Sequence, residues 1–600
     1  MISIPDRASS TAGKSSSSAR RWLKAIELTA RIDAEPQRLF ADLIDEWAER
    51  RPAQACLLSD RESFIYRELA ARINRYARWA LAHDIAVGEC VGLLMPNRPE
   101  YLAAWLGLSR VGVVVALINT NLVGRSLAHC IDVSGAKHLI VAAELRDAFD
   151  GAAAHLARLP RLWLHGSRDE ADLAEALAGY DDGLLSAAER RAVTIDHRAL
   201  MIYTSGTTGL PKAANVNHRR VLTWGRWFEG LMEATATDRL YDCLPLYHSV
   251  GGVVAPCSML SAGGSVVISE KFSASRFWQD IARWDCSVFQ YIGELCRFLL
   301  KSPPAEGERT HRLRLACGNG LAGDIWEAFQ ARFGIPQILE FYAATEGNFS
   351  LYNVEGRPGA IGRIPPFLKH RFPAAIIRLD TDGAPLRSPE GWCVPCAPDE
   401  AGEAIGRIGS KAERGGRFEG YTDIAETEKK ILRNVFAADD AWFRTGDMMR
   451  LDRAGYFHFV DRLGDTFRWK GENVATSEVS AAMLACPGVT DAVSYGVAIP
   501  GADGRAGMAA IAVDESFEIA VLYGHLANRL PSYAQPVLIR IRDRLEVTET
   551  FKQKRTELVS DGFDPALVSD RLFYRDAAVA TYRPLDGASF ADIVNGTLRL

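Results

Sequence analysis

Tyr203-Thr-Ser-Gly-Thr-Thr-Gly-Leu-Pro-Lys212 follows without a break from the apolar run Ala199-Leu-Met-Ile-Tyr203. That run is short, continuous and bounded by turn residues, the pattern of a strand buried on both faces. It empties into Thr204, Ser205, Gly206, Thr207, Thr208 and Gly209, and the loop closes on Lys212. Polyphosphate needs such a loop: glycines let backbone N–H groups approach the oxygens, hydroxyls add donors, and a lysine offsets charge. The spacing is not that of a Walker A loop, G-x-x-x-x-G-K-[ST]. A plain Ser/Thr-rich turn would explain the hydroxyls, but not their place between a buried strand and a lysine.

Upstream of the loop, helical and strand patterns alternate. Phe40 to Ala48 and Tyr66 to Ile73 have helical spacing, and so does Tyr101 to Arg110. Val91 to Met95, Val113 to Leu117 and His138 to Val141 read as buried strands. Such alternation predicts an α/β fold of parallel sheets with helices on both faces. At 600 residues the chain exceeds one core. The best late boundary lies near Asp461 to Asp465, after the strand Tyr456 to Val460, where Gly464 sits in a polar turn. The expected division is a disordered tail over 1–35, a large domain over 36–463 and a small α+β domain over 464–600.

Net charge is −5, with 70 basic against 75 acidic residues, so no broad basic surface is offered to nucleic acid. Eleven scattered cysteines read as reduced thiols of a cytoplasmic protein. The start is Ser-rich through Ser18, and a weakly amphipathic helix follows around Arg20, Arg21, Trp22, Leu23 and Lys24. A solvated face is the preferred reading of that helix, and a membrane-surface role the second. No apolar run approaches the roughly 20 residues of a membrane span.

Other segments carry chemistry downstream: Phe341-Tyr-Ala-Ala-Thr-Glu346, Trp442-Phe-Arg-Thr-Gly-Asp447, Asp461-Arg462 and Lys552. With the loop, in this order, they resemble the acyl-adenylate-forming superfamily of acyl-CoA synthetases, luciferases and peptide-synthetase adenylation domains. The resemblance spans about residue 40 to the end. Within that superfamily, Asp461-Arg-Leu-Gly-Asp-Thr-Phe-Arg-Trp-Lys-Gly-Glu-Asn-Val474 is similar to the signature of fatty-acid transport proteins and very-long-chain acyl-CoA synthetases. Thr550-Phe-Lys552, Gly562-Phe-Asp-Pro565 and Cys317-Gly-Asn-Gly-Leu321 resemble the same branch.

The resemblance implies an AMP-forming acid–thiol ligase that uses ATP, Mg²⁺ and coenzyme A, with a long- or very-long-chain fatty acid as substrate. Residues 204–209 and Lys212 would hold phosphate, Gly318 and Asn319 the adenine edge, and Tyr342 its face, with Thr345 beside them. Asp447 suits both ribose hydroxyls and Arg462 braces that sugar. Glu346 and Thr204 would share the metal. Lys552, with Lys212 and His248, is the implied catalytic set, and Lys552 would bridge carboxylate and α-phosphate. The small domain would turn about Gly464, bringing Lys470, Gly471 and Glu472 toward coenzyme A. Tyr247, Val250, Gly251, Tyr291, Gly293 and Ala343 are the expected acyl pocket, its glycines leaving space between the larger side chains.

Two positions depart from the superfamily pattern. Ala343 stands where glycine is usual, and Gly464 where many members carry Asp or Lys. Three alternatives stay open: an acyl-AMP ligase loading another acceptor, a ligase for a bile-acid or aromatic carboxylate, and a fatty-acid uptake or binding protein. Peripheral membrane contact and a homodimer are left open too.

Overall fold

The structure is a computed structural model that describes residues 17–168, 171–204, 211–380, 383–409, 417–463, 467–469, 472–500, 505–546, 555–598 and 600. The continuous apolar runs form one parallel sheet. Its strands lie in the order Arg161–His165, His138–Ala142, Cys90–Leu94, Val114–Leu117 and Arg198–Thr204. The strand Lys212–Asn217 closes the edge antiparallel to Arg198–Thr204. The predicted phosphate loop therefore connects two antiparallel strands whose ends, Thr204 and Lys212, are register partners.

A second, larger sheet begins as a parallel stack of Ala55–Leu58, Ser265–Ile268, Arg239–Asp242, Val288–Ile292, Leu315–Asn319 and Ile338–Ala343. Beyond Ile338–Ala343 every pairing is antiparallel, through Ser350–Asn353, Gly362–Arg363, Tyr456–Arg462, Ala441–Leu451, Ala401–Arg407 and Ala374–Ile377. Helices cover the parallel parts, as the alternation predicts. A smaller C-terminal unit has its own sheet, ordered Val489–Val497, Ala506–Val513, Leu538–Arg542, Arg571–Asp576 and Thr581–Pro584, and its own apolar core.

The N-terminus differs from expectation. The helix expected around Arg20 to Lys24 is present as Ser18–Ala30, within the stretch assigned to a 1–35 tail, but in place of a solvated face it buries Arg21, Trp22, Ala25 and Thr29. The indole of Trp22 lies edge-on to Trp227 and Tyr352, both 5.8 Å away between ring centroids. Gly230, on the facing helix His218–Met232, makes the approach possible, because a Cβ there would come within 2.4 Å of the Ala25 Cα. The apolar stripe of this helix is thus accounted for by core packing. Among the described residues no helix is long and apolar enough to cross a membrane.

Candidate active site

The two sheets meet at the antiparallel pair Arg198–Thr204 and Lys212–Asn217. Segment 419–422 runs along Lys212–Asn217, with Asn215 N–H donating to Gly420 O at 3.0 Å and Thr422 N–H to Ala213 O at 2.9 Å. This sets Tyr421 against the strand Lys212–Asn217, bridged to Ala214. Its hydroxyl donates to the Glu346 carboxylate at 2.8 Å and also bonds the Thr204 side chain. Burial pushes the Tyr421 phenol up, and the Glu346 charge adds to the effect, so the hydroxyl stays protonated and able to donate. Lys212 forms an ion pair with Glu426 and lies 6.0 Å above the Tyr421 ring. Lys212 and then Lys429 hold the Glu426 carboxyl down at about 2. Lys430 Nζ stands 3.9 Å from Glu346, and Thr345 shares a hydrogen bond of 3.0 Å with Ser249.

Arg220 rises into the same region from the first turn of the helix His218–Met232. Its Nη2 donates to Ala344 O at 3.5 Å, and its guanidinium stacks over Trp224 at 5.1 Å. Burial lowers its pKa to about 10, with the Glu346 charge opposing the shift.

Asp447 is shaped by its neighbours in Thr445-Gly446-Asp447. Gly446 takes φ +76°, a conformation glycine adopts without cost, and Thr445 Oγ1 accepts the Asp447 N–H at 3.0 Å. Arg462 is the register partner of Asp447, and its Nε lies 3.6 Å from Oδ1. Tyr342 reaches Oδ2 from the end of the strand Ile338–Ala343 and donates its hydroxyl there. Gly318 and Asn319 end the strand Leu315–Asn319, and the side-chain oxygen of Asn319 is buried without a hydrogen-bond partner.

Thr204, Lys212 and Glu346 thus gather about Tyr421, and Tyr342 and Arg462 about Asp447, while Thr345 is bonded to Ser249 and Asn319 ends its own strand. Ser205, Gly206, Thr207, Thr208, Gly209, Gly464, Lys470, Gly471 and Lys552 lie outside the described residues. Glu472 begins a short ribbon strand, Glu472–Val474. His248 packs against the Tyr247 ring at 4.6 Å, just before the π-helical turn Val250–Val254. Ala343 is exposed at the end of its strand.

The glycines expected to leave space do something else. A Cβ on Gly251 would sit 2.6 Å from Pro245 O, one on Gly252 1.8 Å from Leu246 O, and one on Gly293 1.7 Å from Gly320 O. Each lets two backbones touch and leaves no room beside it. Tyr291 is fully buried in the core, with its hydroxyl bound to Glu340. Tyr421, Glu426, Lys430, Arg220 and Glu340 escape a reading by motif. Only Glu340 carries a sequence signal, a charge inside the apolar strand Ile338-Leu-Glu-Phe341.

Two family models match the chain, the AMP-binding enzyme over residues 44–372 and the AMP-binding enzyme C-terminal domain over 478–552. The chain belongs to the AMP-binding enzyme family and, within it, groups with the long-chain fatty acid transport proteins. It is 40% identical over 597 residues to long-chain fatty acid transport protein 1 of Mus musculus, covering 97% of this chain and 92% of that one. Long-chain fatty acid transport protein 3 of Mus musculus is 40% identical over 537 residues, covering 87% and 79%. Among solved structures, ATP-bound MatB from Rhodopseudomonas palustris superposes with TM-score 0.73 at 24% identity, over 87% of this chain and 98% of that one. The anthranilate CoA ligase AuaEII in complex with anthranoyl-AMP gives 0.74 at 20% identity, over 87% and 97%. At these identities the structural likeness establishes the fold.

Proposed function

We propose that this protein activates a long- or very-long-chain fatty acid with ATP, through an acyl-adenylate, to its acyl-CoA, releasing AMP and pyrophosphate. The observation that carries the reading is the convergence of Lys212, Thr204 and Glu346 about Tyr421. It puts a phosphate cation, a hydroxyl and a hard carboxylate within reach of one side chain. The names of the relatives supply the acid.

In the first half-reaction a carboxylate oxygen attacks the α-phosphate and pyrophosphate leaves, a step that rests on positioning and charge neutralisation. Lys212 and the loop 204–209 hold the β- and γ-phosphates. Asn319 meets the adenine edge, Tyr342 covers the ring, and Asp447 takes the ribose hydroxyls with Arg462 beside it. Glu346 and Thr204 have the donor chemistry to hold Mg²⁺, which would supply positive charge to offset that of departing pyrophosphate. Lys552 adds a cation where carboxylate and α-phosphate meet. In the second half-reaction the coenzyme A thiolate displaces AMP. Rotation about Gly464 brings the Lys470–Glu472 segment, and the small domain as a whole, into place. Tyr247, Val250 and Ala343, near His248, border the acyl entrance.

The test is product analysis with acid, ATP, Mg²⁺ and coenzyme A. Acyl-CoA and AMP formed in equal amounts support the reading. Acyl-adenylate that accumulates despite coenzyme A points instead to another acceptor.

A further inference from the structure

The turn that follows Leu315–Asn319 is held from two sides. On one side Gly293 presses its backbone against Gly320, with no space for a Cβ between them. On the other lies the carboxyl group of Glu340, 1% exposed in the strand Ile338–Ala343. Gly320 N–H donates to Oε1, and Leu321 N–H donates to Oε1 at 3.2 Å and Oε2 at 3.4 Å. The Tyr291 hydroxyl donates to Oε2. Gly320 itself takes φ +82°, in the left-handed region that favours glycine.

A carboxyl group buried among neutral donors is costly unless each oxygen is well bonded. Here both oxygens are bonded, and two of the three donors are backbone N–H groups of a single turn. That turn directly follows Asn319, whose side-chain oxygen is buried and unpartnered. An unpartnered acceptor fits the exocyclic amino group of adenine, a donor, and not the oxygen that hypoxanthine carries at the same position.

We propose that Glu340 is a positioning residue which, with Tyr291, fixes the Gly320–Leu321 backbone so that Asn319 can select adenine. This rests on the nucleotide reading above. Glu340 touches neither substrate nor reacting atoms. Its effect is on which base is held and how tightly.

The experiment is calorimetric binding of AMP and IMP to the full chain and to Glu340→Gln, Glu340→Ala and Tyr291→Phe. The wild type should prefer AMP. Glu340→Ala should lose about tenfold in AMP affinity while IMP changes by less than about twofold. Glu340→Gln, which keeps an acceptor for the backbone, should recover most of the preference, and Tyr291→Phe should fall between. If Glu340→Ala does not fold, Glu340→Gln and Tyr291→Phe carry the test: a graded loss of AMP preference supports the proposal, and an unchanged preference in both overturns it. Equal weakening of AMP and IMP, or a Gln variant as impaired as the Ala variant, also overturns it. A wild type that binds AMP and IMP alike would remove the adenine assignment itself, a result distinct from the failure of Glu340 alone.

Discussion

The hydroxyl of Tyr342 donates to the carboxylate of Asp447, tying together two positions 105 residues apart. Their strands are not neighbours in the sheet; Ser350–Asn353, Gly362–Arg363 and Tyr456–Arg462 lie between them. Burial, and after it the Asp447 charge, push the Tyr342 phenol up, so it stays protonated and donates. Asp447 is therefore held in place before any ribose arrives.

Asp447→Ala should weaken AMP binding by about 10- to 100-fold, the cost of losing hydrogen bonds to a charged acceptor. Tyr342→Phe should cost less, because the aspartate keeps Arg462 beside it. Calorimetry on both variants checks this. An affinity for Asp447→Ala within about twofold of wild type would refute the ribose assignment.

Gly293→Ala should destabilise the fold by about 1–3 kcal/mol or more, because its Cβ would meet Gly320 O at 1.7 Å and backbone cannot step aside cheaply. Denaturant unfolding reads the loss. A normally stable variant with a shortened chain-length preference would restore the view that this glycine makes room for substrate.

Trp22→Ala should cost about 3–5 kcal/mol, the usual range for a buried aromatic truncated in a core. A loss below about 1 kcal/mol would show that the Ser18–Ala30 helix is not part of the folded core.

Burial raises the Glu340 carboxyl from its ordinary 4.5 to about 8, against the opposing hydrogen bonds from Tyr291, Gly320 and Leu321. The nearby Tyr291, Cys296 and Cys317 are pushed up by burial too and stay neutral over this range. Between these two values the unfolded chain has released the proton while the folded chain keeps it. Stability therefore falls as pH rises through that window. Glu340→Gln should remove this slope. The wild-type stability relative to the Gln variant should decline from pH 4.5 to about 8 and level off above; parallel curves would contradict the assignment.

Unlike the parallel strands of the larger sheet, which went unread, four parallel strands of the smaller sheet were legible because burial on both faces writes them as continuous apolar runs, as in Val113 to Leu117. The antiparallel half of the large sheet was not, apart from Tyr456 to Val460, since short strands such as Gly362–Arg363 are too brief to show a period. Phosphate, ribose and metal candidates were legible as residue types in ordered motifs. Their supports were not: Tyr421 reaches Glu346 across 75 residues, and no local pattern records that contact. The glycines misled for a related reason. Sequence shows that a side chain is missing at Gly251 and Gly293, but not that another backbone fills the place. The N-terminal helix was misjudged because its apolar residues, Trp22 and Ala25 among them, are few, and only Gly230 on the partner helix shows how closely they pack.

The central claim is adenylation of a fatty acid, and acid-dependent exchange of labelled pyrophosphate into ATP without coenzyme A measures it most directly. Exchange should require Mg²⁺ and an acid. It should rise with chain length from about six carbons, by roughly fourfold for each methylene buried at about 0.8 kcal/mol, until the site is full. Lys552→Ala should abolish it. Absence of exchange with every acid up to about twenty-four carbons, in a protein that still binds AMP, would contradict the account.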